Sequence, residues 1–402
     1  MKSSFFIWIA ICFYAKTFSQ NPQTVSLEQA VLLAKTNNIG LEIANKEIEK
    51  QTVLQKTALQ IDPLQVQYQG GQFNSVSYDH NISVQQFFPI GNITKANRQL
   101  QEELTKLSEK RKAISEYEIE KAVTLSYYQY LFGVSIQKLN LELNEIYTKF
   151  LKNAELRFKT GESGNIEVIS AKAKSKEIET QKAQINYDLA IYLKQFQYFL
   201  QTEKAVVPDA KTNFKYSNLS TNSSKLEEIV TEFYQQQILV YKKEATTFKA
   251  QKTPKLGLGY FAQSIDTKFL FQGFTAGLQI PLFGNVNSAK AKASEISISQ
   301  SDLELEKSKL TFKLRNQQLQ DELEKHKKGL DYYQTEGLQY AEQIIKTAQK
   351  SYENGDMAYF AYVSFLNQAI DIKKQYLETL NLYNQSVIQQ QFPSTERSEL
   401  TK

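Results

Sequence analysis

The chain repeats itself once, with a period near 190 residues, and this constrains its fold more than any local motif. Pro63 and Pro89 recur as Pro254 and Pro281, and the phrase Gly91-Asn92-Ile93 recurs as Gly284-Asn285-Val286, 193 residues further on. Ala154 and Gly161 in NAELRFKTGESGNIEVISAK (153–172) lie over Ala348 and Gly355 in TAQKSYENGDMAYFAYVSFL (347–366). Such a period is far longer than a solenoid repeat, so the chain is a duplicated half-protein and not an array. The polar segment YSNLSTNSSK, Tyr216 to Lys225, is the expected linker between the copies.

Proline placement separates two kinds of structure within a copy. From Gly91 to Val207 there is no proline, and Leu125, Tyr128, Phe132, Ile136, Leu139, Leu143, Ile146 and Phe150 step by three and four, the helical, coiled-coil-like period. Between Pro63 and Pro89 the period is two: Leu64, Val66 and Tyr68 alternate with Gln65, Gln67 and Gln69. The second copy does the same with Phe274, Ala276, Leu278 and Ile280 between Thr275, Gly277 and Gln279. The expected fold is mainly α with a small β part, a duplicated unit of long helices with one β-hairpin each. The first repeat covers 20–207, with an incoming helix over 26–60, a hairpin at about 63–89, a long helix over 92–160 and a return helix over 165–203. A linker at 208–224 leads to the second repeat at 225–392, with a hairpin at about 254–281, a long helix over 285–354 and a return helix over 357–390. A polar tail, 393–402, follows.

At 1.5 Å per residue the long helix is about 100 Å, the return helix ~60 Å and the incoming helix ~50 Å, so the two short helices stacked end to end match the long one. Strands of about ten residues, apolar on one face and Gln, Thr or Gly on the other, suit a membrane barrel with lipid outside and water inside; a soluble hairpin reads similarly. Four strands cannot close a barrel, and open edges are not tolerated in lipid, so several copies of the chain would share one. Gly91 and Gly284 then mark where a strand becomes a long helix, with Asn92 and Asn285 as N-caps.

Lys2 followed by FFIWIAICFYA (5–15) and a small-residue site before Gln20 is read as a secretory signal peptide over residues 1–19. Cys12, the only cysteine, leaves with it, and the formal charge falls from +5 to +3, which is no nucleic-acid footprint. His80, expected on an extracellular loop, and His326, expected mid-helix, are the only histidines and do not make a metal site. Met357 is a lone thioether. With no nucleophile elbow, phosphate loop or HExxH, neither enzyme activity nor a cofactor is expected.

The segments SLEQAVLLAKTNNIGLEIANKEIEKQ (26–51), RFKTGESGNIEVISAKAKSKEIETQKAQINYDLA (157–190), GLQIPLFGNVNSAKAKASE (277–295) and SYENGDMAYFAYVSFLNQAIDIKKQYLETLNLYNQSVI (351–388) resemble the TolC family of outer-membrane efflux channels over nearly the whole mature chain. The wording of the second copy is most similar to the CusC/CzcC-like branch that serves heavy-metal and cation exporters. The resemblance implies a homotrimer with a twelve-stranded barrel in the outer membrane of a Gram-negative bacterium, continued by a helical barrel through the periplasm. It also implies docking to a periplasmic adaptor and an inner-membrane pump of RND type. A multidrug or type I secretion duct of the same family is the alternative. A periplasmic coiled-coil scaffold or adaptor without a pore would account for the helices but not for two matching hairpins.

By the same resemblance Gly161 and Gly355 are the periplasmic tip glycines, and Gly161, Glu162, Gly355 and Asp356 form the adaptor-docking turns. Glu167, six residues past Gly161, and Tyr352, three before Gly355, are the gate candidates. Ala361 stands where the second copy would carry the matching acid. A solvated helix face for Glu167 and plain packing between helices for Tyr352 are the competing readings.

Overall fold

A computed structural model describes residues 23–202, 205–211, 214–215, 223–281 and 285–393; the side chains of residues 223, 224, 270 and 285 are not described. The expected signal peptide, part of the linker, Gly284 and the tail beyond 393 lie outside the described residues.

The first copy runs through strand β1 (Gln23–Val25), helices α1 (Leu27–Asn37) and α2 (Ile39–Leu54), strands β2 (Gln65–Gly71) and β3 (Asp79–Pro89), and helices α3 (Ile93–Lys159) and α4 (Asn165–Leu200). After strand β4 (Val206–Pro208), the second copy contains α5 (Ser223–Ala250), β5 (Lys255–Ile265), β6 (Lys268–Gln279), α6 (Asn285–Tyr332), α7 (Leu338–Glu353) and α8 (Tyr359–Gln391).

The incoming helix is not continuous. Ser26 caps α1 with a capping box, and Asn38 ends α1 and accepts from Leu41 N to start α2. A 3₁₀ turn, Gln55–Ala58, finishes the segment. Gln201, in the left-handed conformation at φ 46°, ends α4, and its Oε1 accepts from Ile39 N at 2.6 Å. The return helix and the incoming helix are thereby joined end to end alongside α3. The β1–β4 parallel pair was not expected from the sequence. It tucks Val25 and Val206, each 1% exposed, into an apolar cluster with Tyr127, Leu131, Phe196 and Leu200. Three-residue strands are too short to show a period.

The two hairpins form one four-stranded antiparallel sheet in the order β2-β3-β5-β6. Its register separates the faces. Val66, Val84, Tyr260 and Phe274 form one row across all four strands, and the adjacent row, on the opposite face, is Gln65, Gln85, Gly259 and Thr275. The apolar row is uncovered, with Phe274 87% and Val66 67% exposed, and Gln65 and Thr275 at the ends of the opposite row are exposed as well. At the far end of the sheet Asp79, 0% exposed, accepts from Asn74 N, Ser75 Oγ and Asp266 N, which clasps the two hairpins to each other. His80 lies in β3 and not in the connecting loop, with Nδ1 2.8 Å from the Tyr68 hydroxyl and its ring stacked on Phe269. His326 lies within α6, as expected.

Where β3 hands over to α3, Gly91 takes φ +95°, a region that favours glycine. Asn92 occupies the N-cap position, but its side chain makes no capping bond, because its backbone (φ −95°, ψ 12°) is not the extended conformation that aims the side chain at the helix. Asn285 is the first residue of α6 and not the residue before it.

The second long helix is interrupted, against expectation, by a π-helical turn at Tyr333–Gly337, in which Leu338 N–H bonds Tyr333 O. The sequence explains it. From Gly91 to Gly161 is 70 residues, from Gly284 to Gly355 is 71, and a π turn absorbs a single extra residue while leaving the following helix in register. Deleting Thr335 should therefore convert the turn to plain α-helix and leave the melting temperature within a few degrees of the parent. Deleting Leu141, its counterpart in the uninterrupted α3, turns everything beyond it by about 100° and should collapse the tip. Equal destabilisation of the two deletions, followed by thermal melting in detergent, would refute this account.

Candidate functional site

The end of the molecule opposite the sheet is made by two helix-to-helix turns, α3–α4 and α7–α8, of the same design. In the first, Gly161 at φ +80° follows the C-cap Thr160; Gly161 N bonds Phe158 O at 3.1 Å and Glu162 N bonds Arg157 O at 2.8 Å. In the second, Gly355 at φ +81° follows Asn354; Gly355 N bonds Tyr352 O at 3.2 Å and Asp356 N bonds Ser351 O at 2.9 Å. Both are Schellman motifs, each placing an acid on the residue after the glycine. A Cβ at either glycine meets nothing within 4 Å, so a substitution there is strained by the backbone alone. Gly161→Ala should then cost about 1–2 kcal/mol.

Side chains from both copies meet just above these turns. The Tyr352 ring, 3% exposed, stacks on Tyr362 with centroids 4.7 Å apart and packs against Phe150 at 5.6 Å. The Arg157 guanidinium sits over the Tyr352 ring, 4.9 Å from its centroid, with Nε 3.8 Å from the Glu162 carboxylate. Tyr352 Oη donates to Glu167 Oε2 at 3.4 Å, so the two gate candidates, 185 residues apart in sequence, touch each other. Glu167 is half-buried in the first turn of α4, where its charge also suits the helix N-terminus. It is therefore not a free acid on a solvated face.

Burial pushes the Tyr352 phenol above its usual value, Glu167 adds to the rise and Arg157 opposes it. Tyr362 is pushed up to about 12, mainly by burial. Both rings stay neutral at physiological pH, and Tyr352 remains a donor to Glu167.

The magnitudes rank these contacts. A hydroxyl bonded to a carboxylate at 3.4 Å is well beyond the 2.5–2.7 Å of a strong pair and is worth about 1 kcal/mol or less. Emptying a buried aromatic site costs ~3–5 kcal/mol. Packing dominates, and the hydrogen bond only sets where the Glu167 carboxylate points.

The sequence reasoning missed Arg157, and it missed Ile166 and Phe360, which are 71% and 82% exposed. The period of 194 carried that signal, since Ile166 and Phe360 are matched positions in the first turns of α4 and α8. It also shows how the copies diverge: Tyr352 and Tyr362 stand where the first copy has Phe158 and Val168. Met357 packs, partly buried, on the apolar cluster at this end. Among the described residues, no group of three or more His, Cys, Asp or Glu is placed to hold a metal ion, and no helix is long and apolar enough to cross a membrane.

No family model and no curated protein matches the chain in sequence. Solved structures do match in shape. A membrane protein from Pseudomonas aeruginosa superposes with a TM-score of 0.75 at 14% identity, covering 91% of this chain and 92% of that one. CusC, described as changing conformation on folding and transmembrane channel formation, gives 0.69 at 16% identity, covering 94% of each chain. The outer membrane protein VceC from Vibrio cholerae gives 0.71 at 12% identity, over 91% and 95%. The chain has the fold of these proteins. In this fold the two turns at Gly161 and Gly355 carry one sequence echo, and Gly91 lies at the joint between β3 and α3.

Replacing Tyr352 separates its two contacts. Tyr352→Phe should lower stability by about 1 kcal/mol or less, and Tyr352→Ala by about 3–5 kcal/mol, measured by chemical denaturation in detergent. Comparable losses from the two variants would show that the hydroxyl, and not the ring, holds the tip.

Proposed function

We propose that the chain is one protomer of a homotrimeric, TolC-type exit duct in the outer membrane of a Gram-negative bacterium. The observation that carries this reading is the sheet. Among the described residues its two edges, β2 and β6, each pair on one side only, and one face carries Val66, Tyr68, Val84, Tyr260, Phe274 and Leu278 while the other carries Gln65, Gln67, Gln69, Gln85 and Thr275, with Phe87, Phe261 and Phe271 among them. Such a sheet is stable in lipid only when closed, and three copies of four strands close a barrel of a size known for the outer membrane. The helical columns then continue the barrel into the periplasm. Exposed apolar positions along α6, Ile296, Leu303 and Leu310, recur every seven residues and suit the seam with the next protomer.

At the tip, Gly161, Glu162, Gly355 and Asp356 with the exposed Ile166 and Phe360 form the surface offered to a periplasmic adaptor, which links the duct to an inner-membrane pump of RND type. Directionality comes from the pump, so the duct is not an enzyme and needs no cofactor. Three Glu167 side chains near a common axis would repel and favour a passing cation. This supports cationic cargo, and by the resemblance to CusC/CzcC-like proteins heavy-metal ions. Loss of the protein should lower tolerance to copper, zinc, cobalt or cadmium more than tolerance to dyes; the reverse pattern moves it to the multidrug branch.

Two measurements test the duct itself. Cysteines placed singly at Val66 and Gln67 should react oppositely with lipid-soluble and water-soluble thiol reagents in whole outer membranes, and equal labelling would sink the barrel. In planar bilayers, Glu167→Ala should raise single-channel conductance or reduce cation selectivity, and Tyr352→Phe, which releases the carboxylate, should alter the same property. Parent-like conduction from both variants removes Glu167 from the aperture.

A further inference from the structure

The formal charge of the chain is unevenly placed. The segments that join the sheet to the helices, 53–62, 91–102, 245–255 and 285–295, hold eight Lys or Arg against Asp62, Glu102 and Glu295, a net of +5, which equals the formal charge of the whole chain. The sheet itself, over 63–90 and 256–281, holds Asp79, Asp266 and Lys268, a net of −1. Positive charge is therefore gathered in a collar at the helical end of the sheet.

Most of this charge has no counter-charge in the chain. Glu295 is shared by Lys249 at 3.0 Å and Lys292 at 3.4 Å, Arg98 pairs with Glu102 at 3.2 Å, and Lys255 with Asp62 at 2.8 Å. Among the described residues the other four lysines make no ion pair: Lys56 and Lys95 are exposed, Lys252 Nζ donates to Ser288 Oγ at 2.6 Å, and Lys290 Nζ lies 5.5 Å from the Phe248 ring centroid. Helix α6 packs on α5 through the buried Ala291 and Ser294, and Lys290 and Ser288 diverge to either side of that contact, about 160° apart. Lys290 thus lies on one face of the α5–α6 pair and Lys252 on the other. In a closed barrel one of these faces looks outward, whichever way the layer is turned.

The height of the collar follows from the strands. With 11 residues β3 is about 37 Å long, and at a tilt of about 40° it stands ~28 Å tall, close to the thickness of a hydrocarbon core. The headgroup layer adds ~5–8 Å on each side. Lys95 is two residues into α3, Lys290 five into α6 and Lys252 three before β5, and their long stems let the ammonium groups reach that layer. The same level exposes Leu59, Ile61, Ile90, Ile280 and Val286, so apolar and cationic side chains stand together as they do at the boundary of a bilayer.

We propose that this collar binds the headgroups of anionic phospholipids in the membrane leaflet on the helical side, with the unpaired lysines meeting lipid phosphates. Such binding rests on the duct reading, since it needs the sheet in a bilayer. It adds a preference among lipids that closure of the barrel does not require.

The full-length protein, reconstituted in phosphatidylcholine vesicles with a trace of spin-labelled phosphatidylglycerol or spin-labelled phosphatidylcholine, gives the motionally restricted fraction of each label by electron spin resonance. Phosphatidylglycerol should be favoured about twofold or more at low salt. The preference should vanish at roughly 1 M NaCl, where the screening length is about 3 Å. Lys249→Gln, Lys252→Gln, Lys290→Gln and Lys292→Gln together should abolish most of it. Lys309→Gln, Lys313→Gln, Lys325→Gln and Lys327→Gln, on exposed positions of α6 further from the sheet, remove equal charge and should leave it unchanged. If the first combination does not reconstitute, Lys252→Gln and Lys290→Gln singly decide the matter, and one of them should lower the preference. No preference in the parent, a preference that survives high salt, equal loss in the control variant, or altered ion selectivity with lipid preference intact overturns the proposal. Conduction without lipid preference fails this proposal alone, whereas absence of both conduction and restricted lipid fails the duct reading with it.

Discussion

Backbone N–H and C=O groups on a free strand edge have no partner in hydrocarbon, where each unmatched group costs several kcal/mol. On the proposed duct reading, that single constraint organises the rest of the molecule. Among the described residues the four strands have two unpaired edges, an apolar row from Val66 to Phe274 and a polar row from Gln65 to Thr275, a surface that on the proposed reading is stable in lipid only when a ring is closed. On the same proposed reading, the helices that leave the sheet run side by side as segments of a second cylinder. The end-to-end joint at Gln201 and Ile39 makes two short helices match α3, so neighbouring columns reach the same depth. The Asp79 clasp does the corresponding work at the other end, tying the hairpin of one copy to the hairpin of the other before any further chain is involved.

The tip shows how duplication is kept in the backbone and relaxed in the side chains. Both turns use the same pair of hydrogen bonds and the same left-handed glycine, with φ values of +80° and +81°. The side chains around them differ. The second copy contributes the tyrosine stack that fills the space, and the first contributes Glu167 and Arg157, which supply the charge around it. Here one copy holds the tip together and the other gives it an electrostatic character, and Tyr352 is the residue through which the two are coupled.

Much of this was legible in the sequence, and for a specific reason: periodicity and punctuation are local. The proline-free stretch and its step of three and four pointed to a long helix where α3 runs from Ile93 to Lys159, the Gln alternation gave the period of two in β2, and the echo of Gly161 in Gly355 pointed to two turns of one kind. The features that escaped were those without a period. The break at Asn38, the β1–β4 pair and the position of His80 in a strand each occupy only a few residues. The π turn was a different case, because its cause, one extra residue between the second pair of landmarks, was countable from the start.

By itself the sequence determined the duplication, the two hairpins, the long helices and the places where chain direction changes, since each follows from residue spacing and from the backbone preferences of proline and glycine. Only the tertiary structure decided which side chains from opposite copies meet. The contact between Glu167 and Tyr352 and the burial of Asp79 depend on helix rotation and on register between segments far apart in the chain. A helix that turns by about 100° per residue changes its neighbours completely with a shift of one position, so contacts of this kind are fixed by packing and cannot be read from any local pattern.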